Sequence, residues 1–214
     1  MEDEMNLNTI RKAMPYIIPE ADFDRKLNMS ERNVTHTEDY IAKGVNDFTL
    51  PGFTTPYGYR LVKSIRDDHY RLITDSENPE TVYAVKLIFR EDIVETRKSC
   101  TQILVWRTPN VIHDRAVHGL PQIFFAFFLE HYAIVVSDEQ QTLDGRRFWE
   151  RMISWAITTN GYHVYVSDGT EMDRPLTFMT SWDDFYSVWA DFCWGNDQDI
   201  HTHRLLVISK EKLH

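Results

Sequence analysis

The chain predicts a mixed α/β (α+β) fold: one twisted mixed sheet flanked by helices, with an N-terminal extension in front of it. Three observations carry that prediction. Four runs rich in β-branched and aromatic residues follow one another closely between Tyr59 and Arg107, the spacing of an antiparallel meander. From Pro121 to Ser167 two helical apolar patterns alternate with two strand-like runs, the order of a βαβ crossover, which needs a sheet to lie on. A final strand-like run, His203–Ser209, closes the chain.

The 214 residues suit one domain, read here as residues 59–214, with residues 1–58 packing on its sheet as an extension. Hydrophobic residues at 43% and aromatic ones at 13% give enough apolar surface for a core and exclude a disordered chain. The net charge of -10 disfavours nucleic acid, because phosphate binding depends on Lys and Arg. Cys100 and Cys193 stand alone, without disulfide or metal spacing, which points to a reducing cytoplasm. The acidic start Met1-Glu-Asp-Glu-Met lacks the features of a signal peptide, and no apolar run reaches membrane-spanning length, so a soluble cytoplasmic protein without membrane contact is expected.

Within residues 1–58 the apolar pattern is not sustained. Pro15 would stop a short helix near Leu7–Met14, Gly44 would close one over Glu38–Lys43, and Thr49–Gly58 is rich in turn residues. Strands are then expected at Tyr59–Ile65, His69–Thr74, Thr81–Phe89 and Thr101–Arg107. The last has an apolar centre that suits burial on both faces. Asn110–Gly119 reads as a polar loop. Pro121 suits the first turn of a helix running to Tyr132, whose phenylalanines surround it on most sides, as in a helix covered by both the sheet and the N-terminal arm. Strand Ala133–Ser137 follows, then a helix capped by Thr142 or Asp144 with Phe148, Met152, Trp155, Ala156 and Thr159 on one face, ended by Asn160-Gly161. After strand Tyr162–Ser167 comes a loop rich in Asp, Gly and Pro. Ser181 then caps a helix carrying Trp182, Phe185, Trp189 and Phe192, which Gly195 stops.

Several residues could carry chemistry. His113 and His118 flank Asp114 and Arg115, and either histidine can serve as a general base near neutral pH. Asp138 follows a strand end where α/β folds often hold ligands. His201 and His203 would share one strand face, but a third ligand at metal spacing is missing, so no metal is expected. The Trp182–Phe192 aromatics lie among Asp183, Asp184 and Asp191 rather than Lys or Arg, which suits a core face better than a base-stacking surface.

The succession of a four-stranded meander, helix, strand, helix, strand, helix and strand resembles the GNAT superfamily of acyl-CoA-dependent N-acetyltransferases, chiefly over residues 59–168. In that family acyl-CoA enters an opening beside the central strand, and backbone donors at a helix N-terminus hold its pyrophosphate. The resemblance places that opening between Thr101–Arg107 and Ala133–Ser137, with Arg107, Arg115 and Gly119 as cofactor-binding residues and His118 or Asp138 as the base. It implies transfer of an acetyl or other acyl group from acyl-CoA to a small-molecule or protein amine, without a metal. Arg115-Ala-Val-His-Gly119-Leu-Pro121 keeps one arginine and one glycine of the family's loop at altered spacing, and Pro121 removes one backbone donor. Trp149 stands where the family often has a tyrosine that protonates the leaving thiolate, and an indole N–H is no such acid. The run from Val136 to Trp149 is most similar to divergent GNAT-like proteins of bacteriophages. The alternative implied is a catalytically inactive phage protein that binds and modulates a host protein.

Overall fold

The computed structural model describes residues 16–17, 27–90, 93–94, 98–136, 140–141, 143–171, 173–190, 193 and 204–214. In chain order the described strands and longer helices are β1 (Tyr16–Ile17), α1 (Ser30–Ala42), β2 (Val45–Asp47), β3 (Tyr59–Ser64), β4 (His69–Thr74), β5 (Thr81–Arg90), β6 (Ser99–Arg107), α2 (Asp114–Val117), α3 (Leu120–Leu129), β7 (Ala133–Val136), β8 (Gln140–Gln141), α4 (Leu143–Thr158), β9 (His163–Asp168), β10 (Leu176–Met179), α5 (Trp182–Asp184) and β11 (Arg204–Ser209).

Nine of the strands form one sheet in the order β10-β9-β11-β7-β6-β5-β4-β3-β2. Every neighbouring pair is antiparallel except β6 and β7, which run parallel. The meander expected from Tyr59 to Arg107 is present, and β2 adds an edge to it. β11 is inserted between β7 and β9, antiparallel to both. The residues explain that central position. Ala133–Val136 and Leu205–Ile208 are buried without alternation, as a strand covered on both faces requires. A two-residue parallel ladder joins β1 to β8.

Four elements differ from the sequence reading. β10 falls where a loop is expected, because its four residues gain their pattern only by pairing with Val164–Ser167 and laying Phe178 beside Tyr165. The helix over Glu38–Lys43 begins at Ser30 instead. Its buried side consists of Asn33, Thr37 and Tyr40, a helical spacing made largely of polar residues. The Asn110–Gly119 loop is compact, with a 3-10 turn at Val111–His113 followed by α2. Ser181 caps α5, accepting the Asp184 N–H at 3.1 Å, but the chain then widens into one π-helical turn, Phe185–Trp189. The proposed caps Thr142 and Asp144, the stop at Gly195, and Ser137 lie outside the described residues or side chains.

α3 lies on one face of the sheet. Leu120, Phe124, Phe125, Phe128 and Leu129 are buried. Phe124 stacks on Tyr83 of β5 and meets Tyr70 of β4 edge-on, while Phe48, in the segment between β2 and β3, covers its outer side. Phe125 faces Trp149 and Trp155 of α4. The opposite face of the meander is covered by α1, through Tyr40 against Val62 and Ile73.

The relation of β6 to β7 positions the site. Their ladder holds only Ser99, Cys100 and Thr101 against Ala133, Ile134 and Val135. On the other side of β6 the register with β5 shifts, so that Gln102 pairs Leu87 and Leu104 pairs Lys86, leaving Ile103 as an extra residue. Such a bulge bends its strand and strengthens the local twist. Among the described residues the β6–β7 ladder ends at Thr101, and Gln102–Arg107 runs on beyond it. This end of the sheet, beyond the described ladder, is where β6 leads toward α3 and β7 toward α4.

Candidate functional site

The connection from β6 to α3 forms one side of this end of the sheet. Asn110 starts its 3-10 turn, accepting the Ile112 N–H on its side chain at 3.2 Å, and Gly119 ends the connection at φ +72°, the left-handed backbone that glycine adopts without strain. Gly119 is also the N-cap of α3. Its carbonyl takes the Ile123 N–H at 3.1 Å, while Pro121 has no N–H, so Leu120 and Gln122 supply the donors of the first turn.

A groove of about 530 Å³ runs along this connection. Phe53, Thr54 and Pro56 form one wall, from the segment between β2 and β3; Asp114, Arg115 and His118 form the other. The two walls are tied together beside the groove. Tyr59, whose N–H binds the Pro56 carbonyl, shares a 2.8 Å hydrogen bond between its hydroxyl and His113 Nδ1. The His113 ring is buried and its Nε2 has no partner among the described residues. That geometry makes His113 a brace, and the base candidate exposed in the groove is His118. Turn chemistry in Thr49–Gly58 was the sole sequence signal for the first wall, and nothing local paired it with a segment some sixty residues away.

The charges along the second wall are unequal in their partners. Arg107, the last residue of β6, donates to Asp114 at 2.5 Å. Arg115 is exposed and has no ion-pair partner among the described residues. Tyr57, Val111 and Ile112, in the segments that carry the two walls, are among the most exposed large hydrophobic residues. The structure therefore brings Arg115 and His118 to one groove, places Arg107 beside it through Asp114, and sets Gly119 at the start of α3. Asp138 lies outside the described residues, as do His201 and His203.

Trp149 lies in the core, where Phe125 and Phe148 pack edge-on against it, and offers no proton donor to solvent. At the same sheet edge Asp168 accepts from Arg204 at 3.1 Å and from the Thr170 hydroxyl and N–H. Burial pushes the Asp168 pKa upward, but those hydrogen bonds outweigh it and hold the carboxyl below the ordinary range. Buried Cys193 lies within electrostatic reach of this pair, and burial pushes its thiol up to about 12, which leaves it no thiolate to react at neutral pH. Among the described residues no three His, Cys, Asp or Glu side chains converge on a metal position, and no helix is long and apolar enough to cross a membrane. No protein-family model, curated protein or solved structure matches the chain.

Proposed function

We propose that the chain is a GNAT-like acyltransferase that moves an acetyl or other acyl group from acyl-CoA to an amine. The Ile103 bulge, which bends β6 just beyond its parallel ladder with β7, supports this reading most directly. In this reading the amide-bearing arm of CoA pairs with backbone N–H and C=O groups of Gln102–Arg107. The donor phosphates would meet the first turn of α3 at Gly119, where a helix N-terminus favours negative charge, with Arg107 at the end of the opening.

The chemistry needs positioning and one proton acceptor. The amine nitrogen attacks the thioester carbonyl, a C–N bond forms, the C–S bond breaks, and CoA leaves as a thiolate. His118, exposed in the groove one residue before the α3 cap, accepts the proton that the amine loses, and the thiolate finally receives it. Trp149 and Pro121 favour the second reading, a catalytically inactive chain that binds a host protein, since one is buried without an acid and the other lacks a donor.

Thermal unfolding with acetyl-CoA separates the two. A ligand at about 100 times its dissociation constant stabilises the folded chain by about 2.7 kcal/mol, which raises Tm by roughly 5–10 °C for a chain of this size. Gly119→Asp and Arg115→Ala are expected to reduce that shift. No shift at millimolar acetyl-CoA, in folded protein, rejects the acyltransferase reading.

A further inference from the structure

The groove beside α2 has a charge pattern of its own. Asp114 and Arg115 are consecutive and both line it, so one wall presents a carboxylate and a guanidinium side by side. Asp114 engages Arg107 through Oδ1 alone, and Arg115 is the cation of the wall without an ion-pair partner among the described residues. A single free guanidinium suits a monoanion, and its planar fork matches a carboxylate. The facing wall, Phe53, Thr54 and Pro56, carries no charge and offers two apolar side chains. His118 completes the polar side. A zwitterion with an apolar body answers all three features: its carboxylate meets Arg115, its amine meets Asp114 and His118, and its side chain meets Phe53 and Pro56. The groove volume of about 530 Å³ falls in the range of small-molecule sites.

We infer that this groove binds a free α-amino acid with an apolar side chain, and that Arg115 anchors its carboxylate. This rests on the acyltransferase reading for the ligand's role as acceptor, but the binding itself does not require acyl-CoA. The amine would then stand beside His118, the residue assigned to take its proton.

The test is an NMR titration of the full chain without acyl donor, following amide and arginine Nε–H signals. The probes are L-phenylalanine, phenethylamine, which lacks the carboxylate, and 3-phenylpropionate, which lacks the amine. Each is taken to about 10 mM, well beyond a millimolar dissociation constant. L-Phenylalanine is expected to shift the Arg115 and His118 signals and to bind more tightly than either analogue. Arg115→Ala is expected to weaken it about tenfold or more, the worth of a charge-assisted pair. The exposed position of Arg115 makes that variant a mild one for folding. Binding of phenethylamine or 3-phenylpropionate as tight as that of L-phenylalanine overturns the inference, as does no binding at 10 mM or binding unchanged in Arg115→Ala. The acetyl-CoA thermal shift is read separately, on the unsubstituted chain. Absence of that shift with amino-acid binding intact would strike the donor reading and leave the groove assignment standing.

Discussion

Asn33 gives the fold its sharpest test. Its side chain uses all of its hydrogen-bonding capacity: Nδ2 donates to the Leu27 and Thr81 carbonyls, both at 2.9 Å, and Oδ1 accepts the Thr81 N–H at 2.8 Å and the Thr37 hydroxyl at 3.1 Å. The residue is 4% exposed and joins α1 to the start of β5. Asn33→Ala removes a donor from two carbonyls and an acceptor from the Thr37 hydroxyl, while the Thr81 N–H keeps its second bond to Thr37 at 2.9 Å. At about 1–3 kcal/mol for each buried group deprived of its partner, and with the carbonyls keeping a second lone pair, the loss is about 2–4 kcal/mol. Urea unfolding followed by tryptophan fluorescence measures it. With m of about 1–3 kcal/mol/M, the midpoint should fall by roughly 1–2 M. Thr37→Val is destabilising by the same logic, and because the two side chains share Thr81, the double variant should depart from additivity by at least about 0.5 kcal/mol. A loss below about 0.5 kcal/mol for Asn33→Ala, the level of an ordinary surface change, or strict additivity, would refute this account of how α1 is held.

His69 should give the stability a pH dependence. Burial, with repulsion from Arg71 second, lowers its pKa to about 3, against about 6.5 in the unfolded chain. The contribution is complete above pH 6.5 and is lost as pH falls toward 3, with a slope of up to about 1.4 kcal/mol per pH unit. His69→Gln, which can still accept from Arg71, should flatten that slope between pH 6.5 and 4.5 in urea titrations; an unchanged slope contradicts the assignment. Phe124→Ala should cost about 3–5 kcal/mol, since the fully buried ring lies against Tyr70, Tyr83 and Phe128, and a loss under about 1 kcal/mol by the same assay would show that the core closes around the gap.

The strands from β3 to β6, α3, β7, α4, β9 and β11 were legible because their periods are local. Strand alternation and helical spacing depend on neighbours a few residues away, and Ser181 identifies its own cap. α1 was only partly legible, because its buried face carries Asn33 and Thr37. An apolar-period search passes over them, and their partners in β5 lie more than forty residues on.

The order of residues by itself determined a mixed sheet with covering helices, a meander before a crossover, and a turn-rich segment at Thr49–Gly58. Tertiary structure alone decided that β11 slots between β7 and β9, that Leu176–Met179 becomes an edge strand, and that β6 meets β7 in parallel at Ser99–Thr101. It also decided that Phe53–Pro56 faces Asp114–His118 across a groove. The reason is physical: hydrophobic period records which side of an element is buried, while hydrogen-bond partners, a bulge such as that at Ile103 and the walls of a groove depend on which distant segments meet.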